Sequence, residues 1–121
     1  MVRHLIVAGC ATAALAFAAS APGAGTAVTL NGSVGPGFII KLTKNGKKVK
    51  SLRAWTYKIV VTDKSNFHNF QLEKKGGRFE RTITSVPFVG KKTITVKLTS
   101  GKWEIECTPH EEQMHGTFMV H

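Results

Sequence analysis

The chain has 121 residues, two cysteines and a formal net charge of +10 at pH 7. This length leaves no room for two ordinary domains. Ten of its eleven alanines lie in residues 1–27, and none of its thirteen lysines precedes Lys41. The other 94 residues contain 26 Val, Ile or Thr and a single Ala. That composition favours β-structure and excludes a multi-helix bundle. No stretch after residue 27 is long and apolar enough to cross a bilayer.

The first 27 residues have the pattern of an export signal peptide. Arg3 supplies a positively charged start, Leu5–Phe17 is a short apolar run, and Gly-Thr-Ala at 25–27 is a small-residue cleavage site. We expect cleavage after the alanine that ends this site. The sequence therefore predicts a signal peptide in residues 1–27 and one domain in residues 28–121.

Three alternatives concern this leader. Ala-Ser-Ala at 19–21 is another small-residue cleavage site, although Pro22 directly after it would hinder cutting. A membrane anchor is disfavoured because the apolar run is short and rich in alanine. Val-Ala-Gly-Cys at 7–10 resembles a bacterial lipobox, so a lipid anchor on Cys10 is an alternative to plain export.

Removal of the leader has a chemical consequence for the remaining thiol. It takes away Cys10 and one basic residue, which leaves a net charge of +9 and a single cysteine, Cys107. Exported proteins usually pair their cysteines in disulfides. A lone cysteine is then an accident, half of an intermolecular disulfide, or a thiolate that a metal protects.

The domain has the pattern of short strands separated by turns. Asn45-Gly46 is the signal of a two-residue hairpin. The charged, Gly-rich segment Glu73–Thr84 is the hardest to assign, and a loop or a short helical turn is expected there. About seven or eight strands at roughly 8–12-residue spacing predict an all-β antiparallel sandwich. Apolar alternation marks the clearest strands: Trp55–Val61, Ile94–Leu98, Trp103–Cys107 and Gly116–Val120.

Strand alternation also orients the last cysteine. If Trp103 and Ile105 point into the core, Cys107 at the end of the same strand points inward too. Glu104 and Glu106 are then predicted to face solvent. Cys107 would lie at one end of the sandwich, beside a loop.

That loop carries the chemistry of the sequence. Cys107, His110 and Met114 occur with the spacing C-x2-H-x3-M, and a further imidazole, His68, lies far upstream. Two His, one Cys and a weak axial Met are the ligand set of a blue copper electron-transfer site. The thiolate donates strongly to Cu(II), the imidazoles suit both oxidation states, and the thioether favours Cu(I).

These residues resemble those of the small cupredoxins, blue copper proteins of the plastocyanin, pseudoazurin and amicyanin type. The resemblance rests on His68-Asn69, on the run Cys107-Thr108-Pro109-His110, and on Met114 shortly before the last strand. It implies an eight-stranded Greek-key sandwich in which His68, Cys107, His110 and Met114 bind one copper ion. It also implies that Asn69 joins the two ligand loops by hydrogen bonds and that electrons leave through the edge of His110.

Other interpretations of the same residues stay open. Cys107 could be a buried structural cysteine, Met114 could fill the core, and His68 could be a core histidine. Zinc is an alternative metal, with the carboxylate of Glu111 as its fourth ligand. His115 is a rival donor, but strand alternation places it opposite Met114 and outside the site.

The ligand set predicts an electron carrier and not an enzyme. Four protein ligands leave no position for substrate, and no Ser-His-Asp or paired-carboxylate arrangement occurs elsewhere. The alternatives are a copper carrier or scavenger with the same ligands, and a cupredoxin-like binding module without a metal. We expect a monomer whose redox partners dock near His110.

The charge is concentrated at one end of the sequence. Residues 28–62 carry seven bases and no acid, whereas residues 63–121 carry nine bases and seven acids. The basic residues lack the interleaved aromatics of a nucleic-acid stacking platform, so nucleic-acid binding is not expected. An acidic redox partner or an anionic envelope surface fits this charge, and so does a solvated lysine-rich sheet face.

Overall fold

A computed structural model of the chain describes residues 27–121. The predicted signal peptide, with its cleavage sites and Cys10, lies outside the described residues except for its last alanine. Within the described part, no helix is long and apolar enough to span a membrane. The elements in chain order are β1 (Val28–Val34), β2 (Ile40–Lys44), β3 (Lys47–Lys48), β4 (Ser51–Leu52), β5 (Trp55–Asp63), β6 (Phe70–Lys74), β7 (Glu80–Thr84), β8 (Gly90–Leu98), β9 (Gly101–Glu106), a 3₁₀ turn (Thr108–His110) and β10 (His115–Val120).

Two five-stranded sheets face each other across one core. The first sheet has the order β3-β2-β1-β5-β8 and the second has the order β4-β10-β9-β6-β7. The predicted all-β sandwich is therefore confirmed. The structure has more strands than expected because residues 47–52 form two short strands in different sheets and Glu80–Thr84 forms a strand instead of a loop or helical turn.

The pairing is not purely antiparallel, contrary to the sequence prediction. β1 pairs with β5 in parallel, and β10 pairs with β4 in parallel. The chain leaves β1, passes through β2 and β3, crosses to the second sheet in β4, and returns beside β1 in β5. Such a return through the opposite sheet allows two strands of the same direction to lie side by side.

The Asn45-Gly46 hairpin forms as predicted. It joins β2 to β3, with Thr43 opposite Lys48 and Lys44 opposite Lys47. Both turn residues have positive φ, 51° and 77°. This is the backbone of a type I′ turn, whose twist matches that of the flanking strands.

The core lies between the two sheets and follows the alternation of the sequence. In β5 the side chains of Tyr57, Ile59 and Val61 are buried, and in β9 those of Trp103 and Ile105 are buried. Each buried side chain of this size stabilises the fold by about 1.5–3 kcal/mol relative to exposure. Cys107 directly follows β9, and it therefore lies at one end of the sandwich.

Candidate metal centre

The loop after β5 is folded by its own polar side chains. The carboxylate Oδ1 of Asp63 accepts a hydrogen bond from the backbone N–H of Ser65 at 3.0 Å. The hydroxyl of Ser65 in turn accepts one from the N–H of Phe67 at 3.1 Å. Such turns, in which a short polar side chain bonds the backbone two residues later, fix the path of a loop. They deliver His68 to a buried position directly before β6.

The loop between β9 and β10 is closed by backbone hydrogen bonds. The N–H of Cys107 donates to the carbonyl of Met114 at 2.9 Å, and the N–H of Met114 donates to the carbonyl of His110 at 2.9 Å. The N–H of His110 donates to the carbonyl of Cys107 at 3.0 Å, which forms the 3₁₀ turn. Cys107 and Met114 are buried, while His110 is half-buried.

Three predicted donor atoms converge between these two loops. The Cys107 Sγ lies 3.6 Å from the His68 Nδ1 and 3.7 Å from the His110 Nδ1. The two Nδ1 atoms are 3.1 Å apart. The centre of a triangle with such edges is about 2 Å from each corner, close to metal–nitrogen and metal–sulfur bond lengths of about 2.0–2.3 Å. Soft thiolate with two imidazoles suits copper, so this group could bind one copper ion.

Met114 belongs to the same loop as two of these donors. Its side chain is 1% exposed and packs within the core cluster that contains Cys107. His115, the rival donor, is the exposed first residue of β10. Glu111, the carboxylate that a zinc site would use, is exposed as well. Met114 is therefore buried, whereas both alternative donors, His115 and Glu111, are exposed.

Asn69 connects the two loops with both ends of its amide. Its Nδ2 donates to the hydroxyl of Thr108 at 3.0 Å, and its Oδ1 accepts from the backbone N–H of Thr108 at 2.8 Å. These two bonds join the residue after His68 to the residue after Cys107. They fix the distance between the two donor loops before any metal is present.

We expect Asn69→Ala to lower the free energy of unfolding of the metal-free protein by about 1–3 kcal/mol. The substitution removes two hydrogen bonds and leaves the N–H of Thr108 without a partner. Urea denaturation measures the loss. The control is Asn31→Ala, since the Asn31 side chain is exposed on β1. An Asn69→Ala loss no larger than that of the control would contradict the role given to this amide.

An aromatic residue that sequence reasoning missed covers the site. The ring of Phe38 lies 5.4 Å from the ring of His68 and 5.0 Å from the ring of His110, measured between centroids. Phe38 is nevertheless 60% exposed. It follows the turn that begins at Gly35, where φ is +72° and a Cβ would lie 2.7 Å from the Ser65 Cβ. This glycine lets the turn approach the histidine loop closely. In the sequence, the only local sign of this position was a large aromatic residue directly after the Gly35-Pro36-Gly37 turn.

We expect Phe38→Ala to make the Cys107 thiol of the metal-free protein react faster with iodoacetamide. The thiol is fully buried, and loss of the ring that lies over both imidazoles opens a path to it. The alkylation rate, followed by mass spectrometry, is the measurement. Phe67→Ala is the matched control, since Phe67 is 71% exposed and directly precedes His68 in sequence. Equal rates in both variants would show that Phe38 does not shield the thiol.

A carboxylate cluster lies on the outer face of the second sheet, beside the site. Carboxylate oxygens of Glu73, Glu104 and Glu106 lie within 4.8 Å of one another. The prediction that Glu106 faces solvent is wrong, since it is 7% exposed. It lies on a central strand, where Gln71 donates to its Oε1 at 3.3 Å. Burial, reinforced by Glu73 and Glu104, raises the pKa of Glu106 from an ordinary 4.5 to about 7.

This shift predicts the pH dependence of stability. Because the pKa of Glu106 is higher in the folded chain, the folded state binds more protons than the unfolded state between about pH 4.5 and pH 7. The free energy of unfolding of the metal-free protein therefore falls as pH rises through that window. Glu106→Gln, which keeps an acceptor for Gln71, should flatten this fall, whereas the exposed Glu112→Gln should not. Urea denaturation from pH 4.5 to pH 7.5 tests it, and identical slopes in all three proteins would count against it.

The two-sheet sandwich and its His/Cys/His group define a cupredoxin fold with a site that could hold one copper ion. The chain is similar to reduced rusticyanin, with 21% sequence identity, a TM-score of 0.59, and 80% of this chain and 81% of that chain covered. A second structure, described as the copper protein rusticyanin, gives 19% identity, a TM-score of 0.59, and 80% and 79% coverage. The structure of rusticyanin from Thiobacillus ferrooxidans gives 22% sequence identity and a TM-score of 0.52, with 80% of this chain and 79% of that chain covered.

These likenesses confirm the cupredoxin fold that the sequence predicted. The sequence matches no protein-family model and no curated protein. The resemblance stated from His68-Asn69 and the Cys107–His110 run is therefore supported by a likeness of fold and by the His/Cys/His group, not by a match of sequence.

Proposed function

We propose that the chain is an exported type 1 copper protein that carries single electrons between redox partners. His68 and His110 would bind the metal through Nδ1, Cys107 through Sγ, and Met114 through its thioether sulfur. The observation that carries the proposal is the convergence of three donor atoms within 4.8 Å at one end of the sandwich. Copper held there would alternate between Cu(II) and Cu(I) and so accept and release one electron.

The residues of the chain favour fast electron transfer because they hold the donors in place. The two loops are each closed by their own hydrogen bonds and are joined to each other through Asn69. Cys107 and Met114 are buried, so water does not reach the sulfur atoms. A site that keeps its shape needs little reorganisation when its charge changes.

The half-buried His110 offers the shortest way from the site to the surface. Beside it lies the exposed ring of Phe38, 5.0 Å from the His110 ring between centroids. A small apolar surface around His110, where electrons would leave the site, suits transient docking because it can form and release contacts quickly. We propose that redox partners dock here and that the protein acts as a monomer. The seven basic residues of segment 28–62 favour an acidic partner.

We infer that the protein is not an enzyme. With four ligands from the chain, the proposed site keeps no coordination position for a substrate. Turnover of small reductants or of oxygen by the copper-loaded protein would contradict this inference.

We also propose that residues 1–27 direct export and are removed to leave the domain of residues 28–121. Mass spectrometry of the protein recovered outside the cytoplasm measures the new N-terminus. A mass that begins at Val28 supports cleavage after Ala27. A mass that begins at a diacylated Cys10 would instead support the lipid anchor.

Electron transfer and copper carriage are separated by kinetics. We expect the copper-loaded protein to exchange electrons rapidly with its own reduced form, measured from NMR line widths in mixtures of the two. We expect slow release of copper to a chelator on the same timescale. Slow self-exchange with rapid copper transfer to an apo-acceptor would support a carrier with the same ligands.

A further inference from the structure

A cleft of about 380 Å³ opens between the two sheets along the free side of β10. Its volume lies within the range of roughly 300–1,000 Å³ that is usual for ligand pockets. The two walls come from β2 with its hairpin and from β9 and β10. The floor is apolar and is formed by four buried side chains: Leu42, Val49, Ile105 and Phe118.

The cleft exists because β10 lacks a neighbouring strand on one side over four of its six residues. Met119 donates its N–H to the carbonyl of Lys50 at 3.0 Å, where β10 begins to pair with β4. Before Lys50 the chain turns away and pairs with β2 as β3. The first four of the six residues of β10, from His115 to Phe118, therefore have no strand on this side.

The backbone of these four residues presents unpaired hydrogen-bonding groups to the cleft. The register of β10 with β9 is unbroken from His115 to Val120. Since alternate residues of a strand direct their N–H and C=O to the same side, Thr117 and His115 direct theirs as Met119 does. Within residues 27–121 these groups have no hydrogen-bond partner. Both residues line the cleft. An unpaired strand edge beside an apolar groove is a template for another strand.

The charge of the cleft indicates which kind of peptide strand could bind there. Lys41 and Lys48 line it and are exposed. Three more lysines flank them in the same segment: Lys44, Lys47 and Lys50. No acidic residue occurs in residues 28–62. An extended segment with carboxylates on one face and apolar side chains on the other is complementary to this wall and floor.

We propose that the cleft docks an extended acidic peptide segment of a partner protein, which adds a strand beside β10. Main-chain bonds to His115 and Thr117 supply affinity, apolar side chains fill the floor, and carboxylates contact Lys41 and Lys48. The residues that line the cleft include neither Phe38 nor any of the four proposed copper ligands. Docking there does not depend on copper, so it can be tested on the metal-free protein.

The test uses a capped peptide of alternating Val and Glu, six residues long, titrated into the isotope-labelled protein. We expect the amide protons of His115 and Thr117 to exchange more slowly when the peptide is bound, as measured by NMR. The same peptide with Lys in place of Glu should protect them less. No protection by the Val-Glu peptide would overturn the proposal. Equal protection by octanoate would overturn it in favour of a small amphiphile, and protection that rises with protein concentration alone would overturn it in favour of a second copy.

Two charge-reversal variants with equal net charge complete the test. Lys41→Glu with Lys48→Glu should weaken peptide binding by about tenfold or more. Lys91→Glu with Lys92→Glu, on β8 at the opposite edge of the same sheet, should leave it nearly unchanged. Equal weakening in both variants would show attraction by net charge alone and would contradict docking in the cleft. Thr117→Pro, which removes one of the outward N–H groups at a free edge, should weaken binding without charge change.

Discussion

In the Cys107→Ser variant we expect the intense colour of the Cu(II)-loaded protein to disappear and Cu(II) affinity to fall by more than about 100-fold. The thiolate is the strongest donor in the proposed set, whereas a serine hydroxyl stays protonated and binds copper poorly. The buried Cys107 Sγ lies within 3.7 Å of both imidazoles, so its loss removes one corner of the donor triangle. Absorption spectroscopy and chelator competition measure the two effects.

The control for this prediction is His115→Ala. His115 lies next to Met114 in sequence but is exposed at the start of β10. Its removal should leave colour and affinity nearly unchanged. Urea denaturation of metal-free Cys107→Ser should give a stability close to that of the parent, because the two side chains are similar in size. Retention of full colour in Cys107→Ser would contradict the proposed ligand set.

We expect Trp103→Ala to lower the free energy of unfolding of the metal-free protein by about 3–5 kcal/mol. Trp103 is 1% exposed and is the largest fully buried side chain. Its ring packs against Phe79 with a centroid separation of 5.2 Å, and its Nε1–H donates to the carbonyl of Thr99 at 2.8 Å. The substitution leaves a cavity between the sheets and an unpaired carbonyl. Urea denaturation followed by circular dichroism measures the loss.

The other tryptophan provides the matched control. Trp55 is 51% exposed and its ring lies under the Arg53 guanidinium, 4.7 Å from the ring centroid. Trp55→Ala should cost less than about 1 kcal/mol, the value of an exposed cation–π contact. Similar losses in the two variants would mean that Trp103 does not anchor the core.

The features predicted correctly are those encoded locally. The alternation of Tyr57, Ile59 and Val61 specifies a strand with one buried face, wherever its partners lie. The Asn45-Gly46 hairpin depends on two residues that tolerate positive φ. Cys107 and His110 are also brought together locally, since one turn holds both residues, and their binding of copper is a proposal. For these elements, the residues that determine the structure lie within a few positions of one another in the sequence.

The features that were missed depend on contacts between distant segments. The parallel pairing of β1 with β5 and the division of residues 47–52 between two sheets follow from how the sheets pack. Phe38 covers the site because a turn that follows β1 meets two histidine loops. The burial of Glu106 depends on the side chains of β6. No spacing within a single strand encodes such neighbours.

The absorption spectrum of the purified protein with one equivalent of Cu(II) tests the central claim most directly. The donor set of Cys107 with His68 and His110 predicts an intense band in the orange-red from thiolate-to-copper charge transfer. The band should bleach on reduction and return on oxidation. A protein that binds Cu(II) without this colour, or does not bind it, would contradict the proposed blue copper site.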